Sequence, residues 1–324
     1  FLKKEDIERR QDAVGCLYQN VELSGEAQEV LSEIHDLERL TAKLSTRKVL
    51  PKEMLQLRKG ISLGNKLREL CEAEEGALKD LTSQINPCLD LIALISDTLQ
   101  NEPANQVGKG EIIRSNVSEE LDELRDLLKN GKSKLIEIQQ REAEQTGIAN
   151  LKIAFNNVFG YYLEVKNTQK SKVPAEWVRK QTLVNAERYI TDELKEYEQK
   201  ILGAEERIVS IEQKLYDDLV AQAAEHLQKV QHNARIIAQV DCLLSFALLA
   251  RSANYCKPEI SEGHFLEIEE GRHPVIEQSL EHGEEYIVNS LELIRDDQQI
   301  LMTTGPNMSG KSDFVAPTAL ITLL

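Results

Sequence analysis

Eight residues near the end of the chain carry its clearest chemistry. Gly305-Pro306-Asn307-Met308-Ser309-Gly310-Lys311-Ser312 has the spacing G-x-x-x-x-G-K-S of a phosphate-binding loop. In such a loop Gly305 and Gly310 let backbone amides turn inward around phosphate oxygens, Lys311 reaches the β and γ phosphates, and the Ser312 hydroxyl ligates Mg²⁺. The motif needs a strand before it and a helix after it. Gln299 to Thr304 reads as a short apolar strand, and the apolar run Ala319 to Leu324 suits the helix.

A second concentration of chemistry lies between Lys152 and Arg188. Lys152, Lys166, Lys170, Lys172, Arg179, Lys180 and Arg188 face only Glu164, Glu176 and Glu187, a local net charge of +4 in a chain whose total is −16. The overall acidity argues against a nucleic-acid binder, but it belongs to the flanking helices. Lys166, Asn167, Lys170, Lys172, Arg179 and Lys180 are the candidates for phosphate contact. Without a base-reading element they imply sequence-independent binding, and for any one of them a solvated surface role is the alternative. Trp177 and Tyr161 are expected to pack a small core.

These groups need elements to hold them. The first 146 residues read as mostly helical: Val30, Ile34, Leu37 and Leu40 form one apolar stripe, Pro51 suits a helix start, and Leu121, Leu124, Leu128, Leu135 and Ile138 continue the helical period. Asn101 to Gly110 reads as an exposed connection, after which Ser118 is an N-cap followed by Glu119 and Glu120. From Leu151 the period becomes two, predicting a β-hairpin whose strands end at Phe155 and resume at Tyr161. Ile190, Leu194, Tyr197, Ile201, Ala204, Ile208, Ile211 and Leu215 then form a heptad seam. No proline occurs between Ala175 and Lys257, so a single helix from about Asp192 to Ala250 is expected, on the order of 90 Å long, with Gly203 as its soft point. Beyond Pro258 short strands and turns around Phe265, Ile268, His273-Pro274-Val275 and Tyr286-Ile287-Val288 lead to the phosphate loop.

With 324 residues and 41% apolar content the chain can build two or three domains with real cores. Cys16, Cys71, Cys88, Cys242 and Cys256 are odd in number and lack a C-x-x-C pair, which suggests free thiols in place of a disulfide framework or zinc site. No run approaches about 18 consecutive apolar residues, and the first residues are not a signal peptide, so no membrane association is expected.

The loop Thr304 to Ser312, with Pro-Asn-Met inside it, resembles that of the MutS family of DNA mismatch-repair ATPases. So do Glu270-Gly271-Arg272-His273-Pro274-Val275, Asp36-Leu37-Glu38-Arg39-Leu40, Phe155-Asn156 with Gly160-Tyr161-Tyr162, and Arg179 to Leu183 with Asn185 to Tyr189, all in the family's order. The resemblance implies a mainly α fold with long lever helices, a small β-rich clamp inserted between them, and the start of an α/β P-loop (ABC-type) ATPase domain. The divisions are 1–146 and 191–257 for the lever and core helices, 147–190 for the DNA clamp, and 258–324 for the beginning of the ATPase domain. It further implies ATP and Mg²⁺ as cofactors, duplex DNA, a second subunit and a downstream MutL-like repair protein as partners, and a bacterial cytoplasmic, nucleoid-associated location. Tyr286 would stack on adenine, with simple packing as the alternative; His273 marks the domain and receives no role.

The chain departs from the family pattern at Asp313, where threonine is usual, and at Pro317. Asp313 would bring negative charge near the phosphates, and an interior helical proline costs around 3 kcal/mol. Only Asp313 to Leu324 follow the loop, so the expectation is a DNA-dependent ATPase in full-length form and no turnover by this chain alone. A related mechanical ATPase of chromosome maintenance, without mismatch recognition, is the alternative. An acidic protein-interaction scaffold would explain the heptads and leave the phosphate loop unexplained.

Overall fold

The computed structural model describes residues 3–156, 160–280, 286–306 and 310–323. The chain divides into two compact units, Asp12–Tyr255 and a smaller one formed by Phe1–Gln11 with Cys256–Leu324.

Helices α1 (Lys4–Gln19), α2 (Val21–Ser32), α3 (Leu37–Ser45), α4 (Pro51–Leu70), α5 (Ala77–Thr82) and α6 (Leu89–Thr98) occupy the first part of the chain. The predicted single stripe Val30 to Leu40 is shared by two helices. The first ends at its Glu33 C-cap, and the second starts at Asp36, whose carboxylate accepts the Arg39 amide at 2.9 Å and caps α3. Pro51 opens α4, where a missing amide proton has no helical partner to lose. Leu40, Leu44, Met54, Leu57, Ile61, Leu67, Leu91 and Ile95 are fully buried in one core.

Residues 99–117 form an irregular connection tied by a bridge between Leu99 and Ile113, with Ala104, Val107 and Val117 packed against the same core. Ser118 then accepts the Leu121 amide and caps α7 (Glu119–Thr146), as its sequence suggests. The chain enters a four-stranded antiparallel sheet: β1 (Lys152–Asn156), β2 (Gly160–Lys166), a 3-10 turn at Asn167–Lys172, β3 (Val178–Thr182) and β4 (Ala186–Ile190), in the order β1-β2-β4-β3. The turn residues 157–159 lie outside the described residues.

Thr191 caps α8 (Asp192–Glu225), which packs antiparallel to α7. Arg141 near the end of α7 pairs with Glu193 at the start of α8, and Arg125 near the start of α7 with Glu212. The expected continuous helix to Ala250 is two helices. The ladder breaks at His226, whose amide turns back to Ala223, and α9 (Leu227–Ser252) follows; Gly203 lies inside regular helix. Among the described residues α9 is the one helix long and apolar enough to cross a membrane by length and composition. Val230, Ala234, Val240, Leu244 and Ala247 on it are buried in the helical core. Asn233, fully buried on the same helix, accepts the Asn86 amide at 2.8 Å and donates to the Asn86 carbonyl at 2.7 Å, which satisfies a non-helical backbone inside that core.

Two apolar clusters result. The large one contains Leu121 of α7 with Tyr216, Leu219, Val220 and Ala223 of α8; the small one, beneath the sheet, joins Leu163, Val165, Trp177 and Tyr189 to Ile148, Leu151 and Leu194. The helix pair runs between them.

In the second unit β5 (Phe265–Gly271) pairs antiparallel with β6 (Asn289–Ile294), the short helix α10 (Ile276–Ser279) lies between them in sequence, and α11 (Lys311–Leu323) packs against β5. The expected strand Gln299 to Thr304 does not form. Its residues are exposed, Ile300 and Met302 each 84%, and no strand among the described residues lies alongside to supply a ladder. Nor are Tyr286 to Val288 in a strand; β6 begins just after them. Pro317 does not end the helix: α11 passes through it with Pro317 buried, at the cost of one backbone hydrogen-bond donor.

Candidate nucleic-acid interface and phosphate loop

The sheet of residues 152–190 has two chemically distinct faces. Register places Leu163 opposite Tyr189 and Val165 opposite Glu187, and these four share the face that covers the small core. On the other face Glu164 lies opposite Arg188. The Arg188 guanidinium sits 4.2 Å from the centre of the Tyr162 ring, donates to Gln181 at 2.8 Å and pairs with Glu164 at 3.4 Å. Arg188 is therefore a structural cation and not a free one. Trp177 and Tyr161 pack the core as expected; the Trp177 and Tyr189 rings are 6.1 Å apart.

Glu187 is the unexpected centre of this module. It is 3% exposed, and sequence reading gives it no role. Its Oε1 receives the Lys170 ammonium at 2.5 Å and lies 3.6 Å from Nη1 of Arg179, while its Oε2 accepts the Tyr189 hydroxyl. The hydrogen bond from Lys170, helped by that from Tyr189, holds the Glu187 carboxyl below the usual glutamate range against its burial. Burial and the adjacent carboxylate push the Tyr189 phenol up to about 12. Strand alternation was the available signal: on Ala186–Ile190 it sets Glu187 on the same face as Tyr189, so a carboxylate points inward within a basic segment.

The six candidate contact residues do not form one continuous patch. Lys170 and Arg179 converge on Glu187, with side chains still 54% and 58% exposed. Lys172 turns away to donate to the Gly147 carbonyl at 2.7 Å, at the end of α7, where Gly147 adopts the left-handed conformation (φ 65°) that closes the helix. Asn167 holds the β3–β4 turn, donating from its side chain to Val184 and from its backbone to Asn185. Lys166 ends β2 and is exposed, as is Lys180, where the register shifts between Arg179 and Gln181.

An acid titration follows from the Glu187 geometry. Its folded-state value lies below the unfolded one, so the stabilisation is complete above the ordinary glutamate value of about 4.3 and is lost as pH falls through the lower folded value. The near-ultraviolet signal of Trp177 is expected to melt earlier in acid in the wild-type chain than at neutral pH. In Glu187→Gln this extra acid sensitivity should be smaller; an unchanged acid profile would remove the contribution assigned to Glu187.

In the second unit Gly310 takes a left-handed conformation (φ 78°) that suits a phosphate cradle, and Lys311 opens α11, a helix of 13 residues. The Lys311 ammonium donates to the Gly305 carbonyl at 2.5 Å across the loop. Ser312 is exposed, as are Gly305 and Pro306; Asn307, Met308 and Ser309 lie outside the described residues. Tyr286 is half-buried. His273 is buried and accepts the Val275 and Ile276 amides on Nδ1, both at 3.2 Å, which is a helix-capping role.

Comparison with known proteins bears on both regions. The family model described as MutS family domain IV matches residues 116–207, which take in α7, the sheet and the first part of α8. A DNA mismatch repair protein MutS of Christiangramia forsetii is 50% identical over 99% of this chain and 37% of its own length. Those of Phocaeicola vulgatus and Bacteroides thetaiotaomicron are 47% and 48% identical over the whole chain. The chain spans 37–38% of the length of these curated relatives.

Proposed function

We propose, from the premise that the chain belongs to the MutS family, that it carries the lever helices, DNA clamp and phosphate loop of a mismatch-repair ATPase. Residues 147–190 would grip duplex DNA through its backbone, 1–146 and 191–257 would carry that grip, and 258–324 would begin the ATPase domain. The observation that supports this best is the near-complete coverage of the chain by relatives about half identical to it. The sheet carried on an antiparallel helix pair gives that likeness a mechanical form.

ATP with Mg²⁺, when bound, supplies the phosphoryl-transfer chemistry. Gly305, Pro306, Asn307, Met308, Ser309, Gly310 and Lys311 would hold its phosphates, Ser312 the metal, and Tyr286 the adenine. The left-handed Gly310 and the helix start at Lys311 fit a phosphate group. To serve it, the Lys311 ammonium must exchange the Gly305 carbonyl for phosphate oxygens. A two-subunit assembly, a MutL-like partner and a bacterial cytoplasm at the nucleoid belong to the same reading.

Duplex binding by the chain tests the clamp. If about four phosphates are neutralised, log affinity falls against log salt with a slope of about −3.6. Matched and mismatched duplexes should bind alike, because phosphate contacts position a protein without reading bases. A salt-independent affinity would sink the clamp reading, and a preference of about tenfold, or roughly 1.4 kcal/mol, would reveal a base-reading element in this chain.

A further inference from the structure

We infer that Glu187 and Tyr189 are positioning residues that set Lys170 and Arg179 as a two-cation pincer for a single backbone phosphate of duplex DNA. The inference rests on the clamp reading above and goes beyond it by naming what organises the contact.

The two cations come from different elements, Lys170 from the 3-10 turn and Arg179 from β3. Long exposed side chains of this kind lose much rotamer freedom when they are fixed, and nothing in their own elements fixes them. One carboxylate does so. Lys170 Nζ and Arg179 Nη1 lie 2.5 Å and 3.6 Å from the same Glu187 oxygen, so they are at most 6.1 Å apart. A phosphate group spans such a gap with charge-assisted hydrogen bonds of about 2.8 Å to each side. The second Glu187 oxygen is held by the Tyr189 hydroxyl, and Tyr189 is fixed by its ring in the core against Trp177. The buried side chains thus form a chain from the core to the surface cations, whose outer faces stay exposed. Lys170 keeps two donors beyond the one it gives to Glu187, and Arg179 has its outer guanidinium nitrogens.

The sign of one substitution separates positioning from simple charge. Glu187→Gln removes a negative charge beside two cations, so a carboxylate that merely masks them would give tighter duplex binding when removed. A positioning carboxylate gives weaker binding, expected here as about a tenfold loss with the salt slope reduced by about 0.9, the share of one phosphate. Tyr189→Phe changes no charge and is expected to weaken binding about threefold, in the same direction, through the freed carboxylate.

Both variants are to be measured with the 324-residue chain by fluorescence anisotropy on a labelled duplex. Thermal melts establish that each is folded, and Lys170→Gln with Arg179→Gln serves as the reference. Weaker binding and a shallower slope in both positioning variants support the inference. Tighter binding by Glu187→Gln overturns it. Unchanged binding by both overturns it too, while leaving the clamp reading intact if the double glutamine variant is weak. An unaffected double glutamine variant removes the pincer and these two cations from the clamp. If Glu187→Gln does not fold, Tyr189→Phe, which keeps the carboxylate, decides alone.

Discussion

Replacing Glu212 by alanine is expected to lower the stability of Asp12–Tyr255 by about 3–5 kcal/mol, the usual consequence of stranding one half of a buried ion pair. Glu212 Oε1 takes the Arg125 guanidinium at 2.6 Å and the Ile112 amide at 3.2 Å. The two side chains are only 2% and 7% exposed. Without the carboxylate, Arg125 keeps the Ile113 carbonyl at 2.9 Å and Asp122 at 3.7 Å, and the Ile112 amide loses its partner. The charge and the amide are then buried together. Already in the native arrangement Arg125 Nε and Nη1 have no hydrogen-bond partner among the described residues, so the pair is imperfectly satisfied. For that reason leucine at both positions should recover most of the loss, apart from the Ile112 amide. Urea unfolding of the two variants, compared at equal m-value, measures both. A single-variant loss under about 1 kcal/mol would mean that water reaches the pair.

Reversing Lys170, Lys172, Arg179 and Lys180 to glutamate is expected to abolish duplex binding, since it turns the local charge from +4 to −4. The structure shows why this variant alone would be a poor witness. Glutamate at 170 and 179 faces the buried Glu187, and glutamate at 172 faces the Gly147 carbonyl, so part of the loss would come from the sheet itself. Glutamine at all four positions avoids the repulsion. It should leave a folded module whose salt slope falls from about −3.6 toward zero. A folded glutamine variant with the full slope would place the DNA contacts elsewhere on the chain.

What the sequence made legible is what depends on neighbours close along the chain. Period two at Leu151–Phe155 and Tyr161–Lys166 became β1 and β2, Ser118 and Pro51 opened their helices, and the heptad residues Leu194, Ile201 and Ala204 are buried. The breaks were harder to see. His226 interrupts a run with no proline, and Asp36 splits a stripe whose apolar spacing continues across it, because a cap or a local turn can override periodicity. The strand before the phosphate loop was expected from its apolar run, yet a strand exists only beside a partner, and among the described residues none lies next to it. Least legible were the polar centres. Arg125 meets Glu212 across 87 positions of sequence, and Lys170 meets Glu187 across 17; only the folded chain brings them together.

The small cluster beneath the sheet shares no buried residue with the large helical one. The sheet with the adjoining ends of α7 and α8 is therefore expected to open as its own foldon while the helical core stays closed, an outcome that amide hydrogen exchange at the two clusters would register. Sub-global opening of this kind exposes only the small module's apolar residues and leaves α3, α4 and α9 packed. Such opening would let this module loosen and re-form without global unfolding.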